Sequence, residues 1–503
     1  MADRREPRRG AGPIGTEFDF GGVKERIVTR DDFPLERARQ VLKGQTVAMV
    51  GYGVQGPGQG LNLRDNGIDV IVGQRKFREN GKPSESYEKA VVDGWVPGET
   101  LFEPVEAVRR ANQVQLLLSD AGQKTTWQEV ERALEPGMSL VFSHGFSIVF
   151  KDQTGVIPPP FVDVFLVAPK GTGRGVRENY LNGSGINSSF AIFQDATGKA
   201  EEHALATGIA IGSGFLFPTT FEKEVYSDLT GERGVLMGAF YGIMQAHFDF
   251  LRKDGRSPEQ SFTDTVEIAT QTISKIMGAR GIDGLVKELY ETHNFQAFAD
   301  AYVVGRESTA PLFRDLYDRV VKGIETGIVL EANSQPDYRQ KLNDELTKID
   351  QSELGIAGHR VRNKRGEGPT VPSKARDLNI YQAVTAGLLA GVCEAQYNLL
   401  RSKGHSPSEA FNETIEEATE SLHPLIDREG IDFLYANCST TAQRGALDWY
   451  GTFRDAVAAP MQRIYYGKPL ANPAQVRRVI LSHEMWKAGK QVRDLRPQNQ
   501  KVA

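Results

Sequence analysis

VAMVGYGVQGPGQGLNLRDNG, residues 47–67, carries the main signal for the fold of the first part of the chain. An apolar, β-branched run ends at Gly51, and Gly53 and Gly56 follow before a helix-like segment. Gly51 and Gly53 permit a tight turn and the approach of a pyrophosphate, while Gly56 permits close packing. The N-terminus of the following helix then faces the anion. Because such a glycine turn is a weak signal alone, its weight depends on its surroundings.

The surroundings of this turn are an alternation of strands and helices. Short apolar runs alternate with helix-like stretches from residue 46 to about 195, and they read TVAMVG, IDVIVG, VQLLLSD, SLVFSHG, VDVFLVAPKG and SFAIFQD. Runs of this kind are typical of strands buried on both faces of a parallel sheet. We therefore predict a doubly wound, Rossmann-type α/β domain over residues 21–217. The arginine-rich start, residues 1–20, is predicted to be a disordered tail.

The rest of the chain is predicted to be all-helical and duplicated. Beyond residue 218 the apolar residues take helical spacing. Residues 251–285 align without a gap on residues 400–434, an offset of 149, with 14 identities over 35 positions. A later echo, AGHRVRNKR at 357 and AGKQVRDLR at 488, indicates that the two copies end alike. The predicted repeats are 218–369 and 370–503, so the fold class is α/β followed by a duplicated all-α region.

Both copies carry the same signal for the start of a helix. Ser257 and Ser406 are predicted N-caps, each followed by proline at the first helical position. Gln260 and Glu409, three residues after each cap, are predicted to complete a capping box.

The acidic residues of the two copies diverge in a reciprocal way. The first copy has Asp228 and Glu232 where the second has Asp377 and Tyr381, and the second has Glu413 and Glu417 where the first has Asp264 and Ile268. Each copy therefore keeps one pair of acids, four residues apart on one helix face. If the repeats pack face to face, four carboxylates converge, which matches two divalent cations, and hard oxygen ligands suit Mg²⁺. The mirror site would then have decayed. The alternative is a solvated helix face, which is the interpretation given to Glu416 and Glu420.

Further candidate residues follow the predicted strands. His144 in FSHGF and Lys170 in APKGTG lie at the carboxyl ends of two strands, where ligands of doubly wound sheets bind. The second strand ends in VGQRK, without the acid that would bind a ribose 2′-hydroxyl, and Arg75 with Lys76 suits a 2′-phosphate. This favours NADP over NAD. Each of these residues also has a purely structural alternative, as a core histidine, a surface lysine or a solvated loop, and Ser439 in NCSTTAQRG has that of a helix cap.

Composition excludes several classes of function. The net charge of −5 and the lack of a basic stripe argue against a nucleic-acid partner. No apolar run approaches the roughly 20 residues that a membrane span needs. Only Cys393 and Cys438 occur, so we expect no disulfide framework and a cytoplasmic protein. The expected partners are a small-molecule substrate and further copies of the chain, as a dimer or tetramer.

Taken together, several segments resemble one family. GYGVQG, FSHGF, VAPKGTG, EVYSDLTGERG, NETIEEATES and CSTTAQRGA resemble ketol-acid reductoisomerase, the acetohydroxyacid isomeroreductase of branched-chain amino-acid synthesis. The resemblance covers about residues 20–498 and looks like the long, plant-like form, whose duplicated helical domain is knotted. It implies a Mg²⁺-assisted alkyl shift in 2-acetolactate or 2-aceto-2-hydroxybutyrate, on the way to valine and isoleucine. Reduction by NADPH would then give a 2,3-dihydroxy acid.

The resemblance also implies roles for individual residues. Asp228 would bridge two Mg²⁺ ions, Glu232 would bind one of them, Glu413 and Glu417 would serve the other, Ser439 would contact the substrate, and His144 and Lys170 would be polar catalytic groups. The predicted cofactor-binding residues are Gly51, Tyr52, Gly53, Val54, Gln55, Gly56, Arg75, Lys76, Ser84, Ser86, Asp120, Gln123 and Gly173.

Two rival functions share part of this pattern. An NADP-dependent hydroxyacid dehydrogenase without a rearrangement step would have the same cofactor fold but no need for four carboxylates. A nucleotide-sensing protein would bind NADPH without turnover, and the full set of polar residues argues against it.

Overall fold

A sheet with helices on both faces is followed by a region that is helical throughout. The structure, a computed structural model, describes residues 13–77, 81–368 and 370–500. Thr16–Asp19 forms a strand, so the predicted disordered tail does not extend to residue 20, and residues 1–12 lie outside the described residues. In the described residues no helix has both the length and the apolarity required to cross a membrane.

The strands of the described chain form one mixed sheet. They are β1 (Thr16–Asp19), β2 (Lys24–Thr29), β3 (Thr46–Val50), β4 (Asp69–Gly73), β5 (Leu101–Phe102), β6 (Gln113–Leu116), β7 (Ser139–Phe142), β8 (Asp163–Pro169), β9 (Ser188–Gln194) and β10 (Phe215–Pro218). Their spatial order is β1-β2-β10-β9-β8-β7-β6-β3-β4-β5. All six predicted strands are present, as β3, β4 and β6 to β9.

The direction of two parts of the sheet differs from the prediction. The segment from β8 to β5 is parallel, but β9 pairs with β8 antiparallel, and β2 is antiparallel to both β1 and β10. A strand buried on both faces reads as an apolar run in either direction. The sequence pattern therefore contained the strands but not the orientation of β9.

Nine helices of the described N-terminal part pack on or beside the sheet. They are α1 (Leu35–Val41), α2 (Gln55–Asp65), α3 (Glu85–Val92), α4 (Pro104–Arg109), α5 (Asp120–Glu131), α6 (Phe146–Val149), α7 (Lys151–Thr154), α8 (Gly173–Leu181) and α9 (Ala200–Ala210). Two apolar clusters, one on each face, bury the strands. The predicted Rossmann-type layer arrangement is confirmed.

The helical region repeats most of its elements in the same order, but in the second part a short 3₁₀ turn takes the place of the first helix. Its first part contains α10 (Phe221–Arg233), α11 (Gly238–Lys253), α12 (Pro258–Phe262), two π-helical turns (Thr263–Glu267 and Ala269–Ile273), α13 (Ser274–Tyr290), α14 (Phe295–Val321), α15 (Ile324–Asn333), α16 (Tyr338–Asp350) and α17 (Glu353–Asn363). Its second part contains α18 (Ile380–Ser402), α19 (Pro407–Phe411), two π-helical turns (Asn412–Glu416 and Ala418–Leu422), α20 (His423–Arg428), α21 (Ile431–Ala436), α22 (Thr440–Tyr466), α23 (Pro473–Ser482) and α24 (Glu484–Leu495). The π-helical turns recur at the offset of 149, as a duplication requires.

The two repeats interlock through glycines at equivalent positions. Helix α11 packs on α22 and α14 packs on α18, so each contact joins one repeat to the other. A Cβ atom added to Gly242 would lie 2.3 Å from the carbonyl oxygen of Tyr450, and one added to Gly391 would lie 2.2 Å from that of Tyr302. Gly242 and Gly391 are 149 residues apart. Because only glycine lets the backbones approach this closely, the duplication is visible in packing as well as in sequence.

The predicted capping boxes form in one repeat only. Ser257 accepts a hydrogen bond from the Gln260 amide, and the Gln260 side chain accepts one in return from the Ser257 amide. Ser406 also caps its helix, but the Glu409 carboxylate accepts from Thr219 and contacts His405 instead. The prediction for Glu409 is therefore wrong, because a partner from the end of the sheet competes for the carboxylate.

Candidate functional site

The glycine turn lies where β3 meets α2. Gly51 has φ +107°, and a Cβ atom there would lie 2.7 Å from the Leu117 backbone. A Cβ atom at Gly56 would lie 2.3 Å from the Gly51 carbonyl oxygen, whereas nothing lies within 4 Å of one added at Gly53. Gly51 and Gly56 therefore make the turn and the packing possible, and Gly53 faces open space. This arrangement leaves the N-terminus of α2 accessible to an anion.

A second helix N-terminus lies beside this turn. A Cβ atom at Gly173, the first residue of α8, would lie 1.9 Å from the Val54 carbonyl oxygen. The Gln55 side chain donates to the Gly171 carbonyl at 2.9 Å. Val54, Gln55 and Gly173 thus hold the starts of α2 and α8 together, which concentrates the partial positive charge of both helix N-termini at one edge.

Three other predicted cofactor residues are engaged within the protein. Tyr52 is fully buried, and its hydroxyl donates to Asp93 and accepts from Trp95, both at 2.8 Å. Its side chain belongs to the core, because those contacts direct it away from the turn. Gln123 is buried and donates to the Leu118 carbonyl. Asp120 is buried at the start of α5.

The residues predicted to bind a 2′-phosphate surround the end of β4. Lys76 is exposed, and Arg75 is half-buried, with its Nη2 3.4 Å from the Thr126 hydroxyl. Ser84 is buried at the N-terminus of α3 and lies 3.3 Å from the Gln74 amide nitrogen, while Ser86 is half-buried in the first turn. Residues 78–80, between these two groups, lie outside the described residues.

The predicted metal-binding acids converge around Lys170. This lysine follows β8 directly and is buried, and its Nζ lies 2.6 Å from Glu413 Oε1 and 3.9 Å from Asp228 Oδ1. Asp228 and Glu232 lie on α10, and Glu413 and Glu417 lie at the π-helical turns of the second repeat. The structure therefore brings acids from both repeats to the carboxyl end of β8.

Sequence reasoning missed one acid of this cluster, Glu224. It is buried on α10, four residues before Asp228, and its carboxylate accepts from Lys170 Nζ at 3.1 Å and from the Gly145 amide at 2.8 Å. His144 Nδ1 lies 3.2 Å from Glu224 and 3.3 Å from Asp228. In FEKEVYSDLTGER the acids Glu224, Asp228 and Glu232 follow each other at intervals of four residues, and this spacing was the signal that could have identified Glu224.

The charges of the cluster are strongly coupled. Burial opposes protonation of His144 and Lys170, but the neighbouring carboxylates raise the pKa of His144 to about 10 and that of Lys170 well above its usual range. The same cations, together with hydrogen bonds, lower the pKa of Glu224 to about 2 despite its burial. Burial raises the pKa of Glu413 to about 8, although Lys170 lowers it. At the centre of the site two protonated side chains, His144 and Lys170, therefore lie among several carboxylates.

The outer acids, Glu232 and Glu417, have less compensation from cations, and Arg233 Nη1 lies 3.9 Å from Glu232 Oε2. Burial raises the pKa of Glu232 and Glu417 well above the usual range, and the charges of Asp228 and Glu413 add to the rise. Among the described residues, Oε2 of Glu232, of Glu413 and of Glu417 has no hydrogen-bond partner. Unpaired buried carboxylate oxygens are costly. These oxygens are hard donors of the kind that Mg²⁺ binds, so the residues present fit a divalent metal site.

Ser439 borders the acids at the start of α22. Its hydroxyl oxygen accepts from the Ala442 amide at 3.0 Å, so it is a helix cap. Burial and the nearby charges of Glu232, Glu417 and Asp228 raise the pKa of its neighbour Cys438, which places this turn beside the acids. Two residues on, Thr441 donates to the buried Asp120 carboxylate of α5. Asp120 thus joins the sheet domain to the helical region.

The mirror site is filled by the protein itself. Asp264, the counterpart of Glu413, is buried and pairs with Arg256 Nη2 at 2.5 Å. The guanidinium of Arg256 also stacks over Tyr381, 4.1 Å from the ring centroid. Ile268 is fully buried, and Asp377 lies exposed in a short 3₁₀ turn rather than on a helix like α10. An arginine therefore occupies the place that a cation would take.

The buried His247 beside this mirror site predicts a pH effect on stability. Burial, and to a lesser extent Arg256, lowers its pKa to about 3. Below pH 6.5 the unfolded chain binds a proton that the folded chain does not, so the free energy of unfolding decreases as pH falls, by about 1.4 kcal/mol per pH unit. His247→Gln, which introduces the residue of the second repeat, Gln396, is expected to remove this contribution. Urea unfolding of both proteins at pH 7, 6 and 5 measures it, and equal slopes would contradict it.

The interpretation of Glu416 and Glu420 as a solvated face is wrong. Glu416 is buried and accepts two hydrogen bonds from Arg496, at 2.8 and 2.7 Å. Glu420 Oε1 lies 2.9 Å from the same guanidinium, and burial raises the pKa of its carboxyl. The acid pattern could not show this, because the partner is 80 residues away in the chain.

Comparison with known proteins supports one family over most of the chain. Residues 41–215 match the family model described as the NADPH-binding domain of acetohydroxy acid isomeroreductase, and residues 221–367 and 375–467 match that of the C-terminal domain of ketol-acid reductoisomerase. The chain belongs to the ketol-acid reductoisomerase family. The resemblance inferred from the sequence motifs is confirmed.

Relatives in the ketol-acid reductoisomerase family cover different shares of this chain. The NAD(+) enzyme of Desulfosudis oleivorans is 52% identical over 351 residues, which cover 70% of this chain and 97% of the relative. The chloroplastic enzyme of Spinacia oleracea is 34% identical over 469 residues, or 88% of this chain and 76% of the relative. Among solved structures, an NADH-preferring ketol-acid reductoisomerase from an uncultured archean has a TM-score of 0.59 and 28% identity, and covers 67% of this chain and 98% of that one.

Family membership establishes a reductoisomerase with a nicotinamide cofactor. Relatives are named for NAD(+) and for NADP(+) alike, so membership alone does not determine the cofactor preference. They also include mitochondrial and chloroplastic proteins.

Proposed function

We propose that this protein converts 2-acetolactate, or 2-aceto-2-hydroxybutyrate, into the corresponding 2,3-dihydroxy-3-methyl acid, with Mg²⁺ and NADPH. The observation that carries the proposal is the convergence of acids from both repeats, with unpaired oxygens, beside Lys170 and His144. A simple reduction of a ketone requires no such cluster. A rearrangement that moves charge between two oxygens does.

The four acids that the sequence pairs across the two repeats would hold the metal. They are Asp228, Glu232, Glu413 and Glu417. Glu224 is excluded from this set because Lys170, His144 and the Gly145 amide already use its oxygens. When bound, two Mg²⁺ ions supply Lewis-acid stabilisation of oxygen charge.

The protein's own groups would orient the substrate and move protons. Lys170 is held protonated between Glu413 and Glu224, and it is a donor for a substrate oxygen or an ordered water. His144, held protonated by Glu224 and Asp228, is a second donor at the same edge. The Ser439 hydroxyl proton is free to donate to the substrate, since only its oxygen is used in capping.

NADPH is proposed to bind along the turn between β3 and α2. The pyrophosphate would face the N-terminus of α2 at Gly53, where nothing blocks its approach. Arg75 and Lys76 would bind the 2′-phosphate, which distinguishes NADPH from NADH. We also propose a cytoplasmic location, since a reducing compartment suits the two free cysteines, Cys393 and Cys438.

The test of this function separates the rearrangement from the reduction. With 2-acetolactate and Mg²⁺, oxidation of NADPH is expected, faster than that of NADH, and EDTA is expected to abolish it. The rearranged 2-keto acid, offered directly, needs only the reduction step. Reduction of this keto acid without any turnover of 2-acetolactate would favour the plain dehydrogenase and overturn the proposal, as would full activity on 2-acetolactate in EDTA.

A further inference from the structure

Each helical repeat ends in an arginine that binds a buried glutamate of its own π-helical turn. Arg496 donates from Nε and Nη2 to the two carboxylate oxygens of Glu416, at 2.8 and 2.7 Å. Arg365 donates in the same way to Glu267, at 2.9 and 2.5 Å. Glu267 and Glu416 are 149 residues apart, and the two arginines are the last residues of AGHRVRNKR and AGKQVRDLR. The two pairs are therefore copies of one device, which we call the arginine clamp.

The clamp of the second repeat is fixed from several sides. Arg496 is buried, its Nη1 donates to the Gly278 carbonyl at 2.9 Å, and its Nη2 lies 2.9 Å from Glu420. Asn187, just before β9, lies 3.4 Å from Glu416 Oε1. A bidentate arginine–carboxylate pair has one preferred geometry. It therefore determines both the position and the rotation of the turn that carries Glu416.

A glycine contact places each clamp arginine. Helix α24 packs on α19, and a Cβ atom at Gly489 would lie 2.3 Å from the ring of Phe411. The first repeat has the same contact, between Gly358 of α17 and Phe262, at 2.8 Å. The last helix of each repeat is thus seated against the residue that precedes the π-helical turn.

The two clamps differ in what their turns carry. Glu416 lies between Glu413 and Glu417, the two acids that the proposed function assigns to the metal. Glu267 lies between Asp264 and Ile268, which have no such role. The same contact therefore occurs once beside the proposed metal site and once beside the mirror site.

We propose that Arg496 is a positioning residue for the metal site. By holding Glu416, Arg496 sets the directions of the Glu413 and Glu417 side chains. This inference rests on the proposed function, since it requires that those acids bind a divalent cation. Removal of groups that orient metal ligands weakens metal binding about 10- to 100-fold. Arg365 has the same bidentate contact in the other repeat and provides the matched control.

The experiment titrates Mn²⁺ alone into EDTA-treated full-length protein and follows free Mn²⁺ by electron paramagnetic resonance. The variants are Arg496→Lys and Arg365→Lys, which keep the charge but lose the fork, with Arg496→Met and Arg365→Met as stronger changes. Thermal unfolding identifies variants that fold. We expect the Kd for Mn²⁺ to rise about tenfold or more in Arg496→Lys and to stay within about twofold of the parent in Arg365→Lys.

The outcomes separate the two proposals. A parent protein that binds no Mn²⁺ would overturn the metal site of the proposed function and this inference with it. A parent that binds Mn²⁺ and an Arg496→Lys variant that binds it equally well would overturn this inference alone. Equal weakening in both arginine variants would assign the clamps to general stability and also overturn it. If the methionine variants do not fold, the lysine pair decides.

Discussion

Replacing Asp228 by Asn is expected to abolish turnover, lowering kcat/KM for 2-acetolactate by about 10³-fold or more. The amide keeps the shape of the side chain but removes the charge that lies 3.3 Å from His144 and 3.9 Å from Lys170. Asp228 lies where the two repeats meet, because Lys170 contacts both Asp228 of the first repeat and Glu413 of the second. A divalent cation held there would lose a charged oxygen ligand. Steady-state NADPH oxidation with saturating Mg²⁺ measures the loss.

The duplication supplies the control for this substitution. Asp377 is the repeat counterpart of Asp228, but it is exposed in a 3₁₀ turn. Asp377→Asn is therefore expected to keep parental kinetics. A residual activity of Asp228→Asn within about tenfold of the parent would contradict the assignment, and so would an equal loss in the two variants.

The sequence contained the parts of the site that depend on local pattern. The glycine turn could be predicted because a strand, Gly51 and a helix start follow each other within a few residues. Lys170 and His144 could be placed because parallel strands end at one edge. The reciprocal acids could be paired because the repeat copies every position at one offset, so the loss of an acid at Ile268 is visible against Glu417.

The parts that sequence did not reveal depend on distant partners. Glu416 and Glu417 are neighbours in one acidic segment, yet one is neutralised by Arg496 and the other has an unpaired oxygen. Nothing in NETIEEATES distinguishes them, because the burial of a charge is decided by whichever cation reaches it. The same reason explains Arg256 at the mirror site, which no metal-ligand pattern would predict. Similarly, the antiparallel β9 follows from the path of the chain after α8.

The mirror site and the candidate metal site differ in the part of the chain that supplies their cation. Asp264 is satisfied by Arg256, Asn379 and Gln382, all provided by the helical repeats. At the candidate site the corresponding cation is Lys170, which comes from the sheet domain. One half of the pseudo-symmetric region therefore has its charge balanced internally, while the other half depends on the sheet domain. This asymmetry ties the proposed metal-binding acids to the end of β8.

Lys170→Met is expected to be the most disruptive substitution for stability as well as for turnover. Its Nζ is buried and is the closest cation to both Glu413 and Glu224. Removing one partner from buried ion pairs costs about 3–5 kcal/mol of the free energy of unfolding, and loss of a positioned proton donor costs about 10²–10⁴-fold in kcat. Urea unfolding of EDTA-treated protein measures the first effect, and NADPH oxidation with Mg²⁺ measures the second.

The pH dependence of the stability of Lys170→Met distinguishes unbalanced carboxylates from lost packing as the cause of its destabilisation. Without Lys170 the buried carboxyl of Glu413, whose pKa burial already raises to about 8, holds its proton to a still higher pH. The folded variant therefore continues to lose stability above pH 8, where this group no longer lowers the stability of the parent further. The destabilisation is expected to be larger at pH 9 than at pH 7. Lys223→Met, whose Nζ donates to the Gly404 carbonyl in an exposed hydrogen bond, is the control and should change stability by less than about 0.5 kcal/mol. A Lys170→Met protein that is equally destabilised at both pH values would show that lost packing, rather than unbalanced carboxylates, accounts for the effect.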